Sequence, residues 1–189
     1  MQLSQRGHPT YSWDESGFSN WIKMTEYRVL SSEDATKHDV DIFAELVRSG
    51  GAVDEYFVRQ GVNRPGAKLI FAESDGQAIG VAALKIPSDQ YRSGLESGVK
   101  AGQPLLHEDY PYELGYVSVS PDHGKRGIGR KLVEIALELA EGKGIFATTS
   151  NPAMKDGILQ QVGFFQVGNV WKNGKNETLH LLVRSAQKK

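Results

Sequence analysis

A glycine-rich turn with basic residues follows an alternating, strand-like pattern in the stretch YELGYVSVSPDHGKRGIGRKL, from Tyr112 to Leu132. Glycines at the start of a helix let an anion approach the backbone amides of the first turn, which carry partial positive charge. The turn therefore predicts a phosphate-binding site; the alternative is a plain strand-to-helix turn with a solvated basic cluster. Its residues are Gly124, Lys125, Arg126, Gly127, Ile128, Gly129 and Arg130.

Two common phosphate-binding motifs do not fit this turn. Gly124 and Gly129 have the glycine spacing of a Walker A loop, but Arg130 and Lys131 follow where that loop needs lysine and then serine or threonine. A dinucleotide-binding fingerprint would need a glycine at the position of Leu132. The pattern therefore favours neither a nucleoside triphosphatase nor a dinucleotide-binding enzyme.

The composition excludes several other kinds of site. The 189 residues include no cysteine, so disulfides, thiolate zinc sites and cysteine nucleophiles are ruled out. None of the five histidines is spaced as a metal ligand from another histidine or from a carboxylate cluster. We therefore expect no metal site.

Charge and hydropathy bear on the partners and the compartment. A formal net charge of -1 argues against broad electrostatic binding to nucleic acid. No apolar run approaches the ~20 residues that span a bilayer, and the polar N-terminus lacks the apolar core of a secretory signal. We therefore expect a cytoplasmic protein that binds neither nucleic acid nor membrane.

The order of strand and helix patterns predicts one α/β (α+β) domain with a mixed sheet. Asp75-Gly76 and Asn173-Gly174 each separate two apolar runs, which is a hairpin signal. A long polar connection from Pro87 to Asp109 is expected to be functional or mobile. The predicted strands are Tyr27–Leu30, Lys68–Ser74, Gln77–Lys85, Tyr112–Ser120, Ile145–Thr149, Phe165–Lys172 and Glu177–Arg184. The predicted helices begin after Ser31 or Ser32, at Asp54, at Ile128 and at Pro152.

At this point the sequence resembles the GNAT N-acetyltransferase superfamily. The family signature is Arg or Gln, two residues, Gly, one residue, then Gly or Ala, between the fourth strand and the next helix. Gly127 and Gly129 match its last two positions, whereas Gly124 stands at the first. Gly163-Phe164 and the element order extend the resemblance over about Met24 to Arg184. It implies a GNAT-like domain over 24–186, with a mixed central sheet of about seven strands flanked by helices and an N-terminal extension over 1–23.

The resemblance implies acetyl-coenzyme A as acyl donor, used as a co-substrate. Its pantetheine arm is expected along the backbone of Val117, Ser118 and Val119, and its pyrophosphate on the turn from Gly124 to Arg130. Asn151 is a further expected contact, because the family often has an asparagine after the fifth strand. The departure at Gly124 removes one side-chain contact but leaves the backbone amides in place.

Glu113 is the expected general base. It precedes Gly127 by the same separation as the catalytic glutamate of the histone-acetylating branch precedes its first motif glycine. Alternation predicts Glu113, Gly115, Val117 and Val119 on one face among apolar neighbours, where burial would raise the pKa of the carboxyl group. The alternative is an exposed or ion-paired strand glutamate.

Leu159 occupies the position where the family often has a tyrosine that protonates the leaving thiolate. The thiolate then leaves unassisted, or another group such as Tyr116, Thr149 or Ser150 donates the proton, or the protein binds the donor without efficient turnover. The expected function is an N-acetyltransferase acting on a small-molecule or peptide amine. The alternative is a non-catalytic acyl-CoA-binding or sensing module, and a homodimer is left open.

Overall fold

The computed structural model describes residues 25–51 and 53–187, so the N-terminal extension predicted at 1–23 lies outside the described residues. Seven strands form one sheet: β1 Glu26–Ser31, β2 Lys68–Ser74, β3 Gln77–Lys85, β4 Tyr112–Val119, β5 Ile145–Thr149, β6 Phe165–Lys172 and β7 Thr178–Arg184. The helices of the described residues are α1 Lys37–Ser49, α2 Glu55–Val62, α3 Asp89–Glu96, α4 Ile128–Leu139 and α5 Ala153–Leu159.

The sheet is mixed, in the order β1-β2-β3-β4-β5-β7-β6. Only β4 and β5 run parallel among these neighbours, and the other pairs are antiparallel. The predicted fold class, a single domain with a seven-stranded mixed sheet, is confirmed.

Helices cover both faces of the sheet. A core cluster built on Ile70, Leu114 and Leu132 lies between one face and helices α4 and α5. On the other face, α1 and α2 pack through Phe43 and Val58. Fully buried apolar side chains on both faces supply the main stabilisation of the sheet, at roughly 25 cal/mol for each Å² removed from water.

The start of α1 differs from the prediction. Thr36 caps the helix, and Asp39 closes a capping box by accepting a hydrogen bond from the Thr36 amide. Ser31 is the last residue of β1, and Ser31 to Asp34 form a tight turn before the cap. A serine cap was predicted because serine and threonine serve equally well as caps, and local sequence does not choose between them.

Helix α3 lies within the connection that was predicted as a long polar loop. Ser88 caps it by accepting a hydrogen bond from the Tyr91 amide, and Leu95 is fully buried. Leu95 packs in a third cluster with Phe146 of β5 and Leu181 of β7. Tertiary packing thus stabilises a helix that its glycine and polar residues disfavour.

Two further elements depart in detail. Helix α5 is wound as a π-helix over Ala153–Leu159, within the predicted segment. The β6–β7 hairpin turns over 173–177, and Asn173 Oδ1 accepts hydrogen bonds from the amides of Lys175 and Glu177. The connection is therefore longer than the two-residue turn that Asn173-Gly174 predicts. Among the described residues, no helix has both the length and the apolar character that crossing a membrane requires.

Candidate active site

The candidate site opens where β4 and β5 separate. These parallel neighbours are paired only at Tyr112 with Ile145 and at Glu113 with Phe146. Beyond Glu113, β4 keeps β3 on one side but has no partner among the described strands on the other. Backbone amides and carbonyls on that open side are available to hydrogen-bond a ligand.

A β-bulge at Tyr116 divides β4. Tyr116 has a φ of 57°, and the register with β3 shifts at this point. An extra residue reverses the alternation of side chains beyond it. Val117 and Val119 accordingly pack against the cluster beneath α4, on the face opposite Glu113. The prediction that these two valines share a face with Glu113 is wrong, because the bulge breaks the period of two.

A cavity of about 900 Å³ lies at this opening. Its walls come from α2, the residues after β3, strand β4 from Glu113 to Ser118, and the end of β5 leading into α5. This volume is in the range typical of small-molecule sites, about 300–1,000 Å³. The strand glutamate and the open backbone of β4 therefore face a space large enough for a ligand.

Glu113 forms a buried ion pair, which is the ion-paired alternative for this strand glutamate, with Lys85 as its partner. The residue is 6% exposed, and its Oε2 lies 2.9 Å from Nζ of Lys85, directly across the β3–β4 ladder. Burial by itself lowers the pKa of Lys85, but the charges of Glu113 and Tyr116 and the hydrogen bonds to both together outweigh burial, and the pKa is raised. Within the described residues, Lys85 holds Oε2 and nothing donates a hydrogen bond to Oε1.

Tyr116 forms the wall beside this pair. Nζ of Lys85 lies 4.4 Å from the centre of the Tyr116 ring, which adds a cation–π contact. The Tyr116 hydroxyl donates to the carbonyl of Phe57 in α2 at 3.0 Å. A Cβ on Gly61 would collide with that hydroxyl, so glycine is what allows α2 to approach the bulge.

The glycine-rich turn lies at the far end of β4 and is not among the cavity-lining residues. Gly127 adopts a φ of 77° at the N-cap of α4, a conformation that favours glycine. No side chain caps this helix, and its first turn carries no acidic residue. A Cβ on Gly129 would lie 3.3 Å from Ile158 in α5, which makes a larger residue unfavourable there. The first-turn amides thus remain available to an anion.

The basic residues of the turn differ in whether they contact a partner within the protein. Arg130 Nε pairs with Glu134 at 2.9 Å, and Arg126 donates to the carbonyl of Asp122 at 3.3 Å. Lys125 is exposed and adopts a φ of 60°. Both engaged residues are exposed, so their contacts contribute at most about 1 kcal/mol each and exchange readily for a ligand phosphate.

Ser118 and Asn151, two predicted contacts of the donor, line the cavity. The Ser118 hydroxyl donates to the carbonyl of Leu46 in α1 at 2.7 Å, so its side chain is occupied and its backbone is what remains for a ligand. Asn151 Oδ1 accepts from the amides of Ala153 and Met154 and caps α5.

The residues considered as proton donors to the leaving thiolate differ in the hydrogen bonds that their hydroxyl groups make. Leu159 is fully buried, so no hydroxyl stands at the family position. The Tyr116 hydroxyl is engaged with α2, and Thr149 Oγ1 accepts from the Asn151 amide. The sequence analysis missed Tyr91, whose hydroxyl donates to Thr148 Oγ1 at 3.2 Å and whose pKa is raised by burial. No local pattern marks Tyr91, because α3 was expected as a loop.

Among the described residues, no group of three or more histidine or acidic side chains is arranged to hold a metal ion. Lys85 and Arg64 also line the cavity, and neither was predicted as a site residue.

This fold and this split strand define a GNAT acyltransferase. A model of the acetyltransferase (GNAT) family matches residues 30–164, more than half of the chain. The protein therefore belongs to the GNAT acetyltransferase family. No curated protein sequence matches it significantly.

Solved structures with the same fold are distant in sequence. Escherichia coli ElaA is 14% identical, with a TM-score of 0.62, and the match covers 85% of this chain and 99% of that one. An acyl-CoA N-acyltransferase from Pseudomonas aeruginosa is 18% identical, with a TM-score of 0.63 and coverages of 85% and 99%. N-acetylglutamate synthase from Neisseria gonorrhoeae, solved with coenzyme A and N-acetyl-glutamate, is 18% identical with a TM-score of 0.56, covering 88% of this chain and 36% of that one.

Proposed function

We propose that this protein transfers an acetyl group from acetyl-CoA to an amine, by direct attack in a ternary complex, with Glu113 as general base. The observation that carries the proposal is the position of Glu113. It is the last residue of β4 paired with β5, and it lines the cavity that opens as the strands separate. Family membership makes an acyl-CoA the expected donor.

The donor side of the proposal uses backbone groups. The pantetheine arm extends along the open edge of β4 at Val117, Ser118 and Val119, where β4 has no partner among the described strands on the side away from β3. The pyrophosphate lies on the uncapped N-terminus of α4, with Gly127 giving close access and Lys125 adding charge. Asn151 contributes its side-chain nitrogen Nδ2, because its Oδ1 already accepts a hydrogen bond from the Ala153 amide of α5.

Glu113 performs the proton transfer. An amine with a pKa near ~10.4 is mostly protonated at neutral pH and must lose a proton to attack. Lys85 pairs with Oε2, which leaves Oε1 to take the proton. The amine nitrogen then attacks the thioester carbon, the carbon–sulfur bond breaks, the nitrogen of the new amide gives up its second proton to solvent, and the thiolate leaves and takes a proton from solvent.

The test compares wild type with Glu113→Gln by coenzyme A release across an amine panel. Loss of a general base predicts a kcat lower by about 10²- to 10⁴-fold with an unchanged KM for acetyl-CoA. The double variant Lys85→Met/Glu113→Gln removes both charges of the pair and separates lost chemistry from lost folding. An undiminished rate of Glu113→Gln across the pH range would remove Glu113 from the mechanism.

A second candidate is a non-catalytic acyl-CoA-binding or sensing module. It is favoured by Leu159, which is buried where the family often has its acid. Calorimetry decides between the two: acetyl-CoA binding with no turnover of any amine or peptide supports the sensing module. Absence of coenzyme A binding would contradict both.

A further inference from the structure

The cavity walls carry six charged side chains, and most of them have protein partners. Lys85 and Glu113 neutralise each other at 2.9 Å. The two carboxylates at the rim also have partners. Asp54 caps α2 by accepting a hydrogen bond from the Tyr56 amide, and Glu177 accepts one from the side-chain amide of Asn173 at 2.6 Å. The six residues are Asp54, Arg64, Lys85, Glu113, Lys175 and Glu177.

Two cations of the cavity, Arg64 and the exposed Lys175 of the β6–β7 turn, have no such partner among the described residues, and the half-buried one is Arg64. It follows the C-cap of α2, is half-buried and lines the wall. Among the described residues, no carboxylate or carbonyl lies within hydrogen-bonding distance of its guanidinium. An Arg fork of this kind binds a planar anion in two parallel hydrogen bonds, which makes an unpaired one in a cavity a recognition group.

Arg64 and Glu113 both lie near Tyr116 in the cavity wall. Gly61 of α2 lies against the Tyr116 hydroxyl, and Arg64 follows three residues later, after helix α2 has ended at Val62 and its C-cap at Asn63. The charges of Lys85, Glu113 and Arg64 all reach the Tyr116 phenol, whose pKa burial raises and the two cations lower in part. The carboxylate proposed to accept the proton and the Arg64 guanidinium, which has no ion-pair partner among the described residues, therefore border the same cavity.

We infer that the acceptor is an amine that also bears a carboxylate, with the amine at Glu113 and the carboxylate on Arg64. This inference rests on the proposed function, because it names the substrate class of the same site. A carboxylate on the acceptor supplies the negatively charged partner that the Arg64 guanidinium lacks among the described residues.

The experiment uses matched amines that differ only at the distal end. The probes are 4-aminobutyrate, 5-aminopentanoate, their carboxamides, and the diamines of the same length, each assayed by coenzyme A release. A hydrogen-bonded ion pair predicts a kcat/KM about 10- to 100-fold higher for each acid than for its carboxamide. An aminoalkyl phosphonate arm distinguishes a carboxylate site from a general anion site.

Variants of Arg64 and Lys175 show which cation causes the preference for acids. Arg64→Met is expected to lower kcat/KM for the acids to the level of the carboxamides, which themselves change little. Arg64→Glu is expected to favour the diamines instead. The control is Lys175→Met, which removes an exposed cation from the β6–β7 turn of the same cavity and should leave the preference intact.

The outcomes separate this inference from the proposed function. Given turnover, four results would each overturn the carboxylate assignment alone. They are equal rates for acid and carboxamide, equal losses for both in Arg64→Met, loss of the preference in Lys175→Met, and a higher rate with the phosphonate. If no amine is turned over, the proposed function fails. Calorimetric titration of 5-aminopentanoate into wild type and Arg64→Met still decides whether Arg64 binds a carboxylate.

Discussion

Replacing Lys85 with methionine is the sharpest test of how the site is held together. The substitution keeps the length of an unbranched side chain but removes the ammonium group 2.9 Å from Glu113. Glu113 is 6% exposed, so its carboxylate is left without its partner and largely without water. Removing one partner of a buried ion pair costs about 3–5 kcal/mol, because the remaining charge is uncompensated.

The expected loss is large enough to measure by thermal unfolding. For a domain of this size, 1 kcal/mol corresponds to roughly 2–4 °C in Tm, so Lys85→Met should lower Tm by about 6–20 °C. The double variant Lys85→Met/Glu113→Gln removes the stranded charge and should recover most of the loss, because a buried ion pair replaced as a whole is often nearly neutral. It should remain inactive.

The pH dependence has a definite sign. Because the pKa of Lys85 is raised in the folded protein, its stabilisation is complete below the ordinary value of 10.5 and is lost as pH rises through the raised pKa. Lys85→Met lacks this group, so its Tm difference from wild type should shrink above about pH 10.5.

An exposed ion pair provides the matched control. Arg48 pairs with Glu45 on the surface of α1, where the two side chains are 57% and 60% exposed. Arg48→Met should leave Tm close to that of wild type, because an exposed pair contributes little to stability. A Lys85→Met protein that unfolds within 2 °C of wild type, or a double variant no more stable than the single one, would refute the reasoning that the pair is structurally required.

Three further predictions concern the framework of the site. Gly61→Ala should cost about 1–3 kcal/mol in urea unfolding, because the added methyl group overpacks against Tyr116. The control is Gly157→Ala, which should not destabilise because a Cβ there meets nothing within 4 Å. Equal effects of the two substitutions would contradict the close approach of Gly61 to Tyr116. Gly127→Ala should cost about 1–2 kcal/mol through its φ of 77° and weaken coenzyme A binding in calorimetry; unchanged affinity would contradict the proposed pyrophosphate site. Burial raises the pKa of Asp39, but hydrogen bonds from the capping box and an arginine outweigh it and lower the pKa below 3.8. Asp39→Asn should therefore be less stable by about 1 kcal/mol at neutral pH, and the gap should close as pH falls below 3.8; a gap that is constant with pH would contradict this reasoning.

Local signals predicted much of the fold. Strands β2 and β3 match the prediction residue for residue, because Asp75-Gly76 adopts the paired positive φ values of a tight hairpin between apolar runs. Helix α3 was missed because its polar sequence predicts a loop, and its stability comes from Leu95 in a cluster with distant strands. Glu113 was found by its separation from the glycine turn, whereas its partner Lys85 depends on the register of two strands.

The sequence by itself determined the seven strands, four of the five described helices, the glycine turn and the strand that carries the glutamate, since each follows from residue types over a few positions. The tertiary structure alone decided that β4 leaves β5 after Glu113, that a bulge turns Val117 and Val119 to the opposite face, and that Lys85 and Arg64 border the cavity. These features depend on pairing between residues far apart in the chain. Hydrophobic periodicity reports which residues are buried, but it does not report which strand lies beside them.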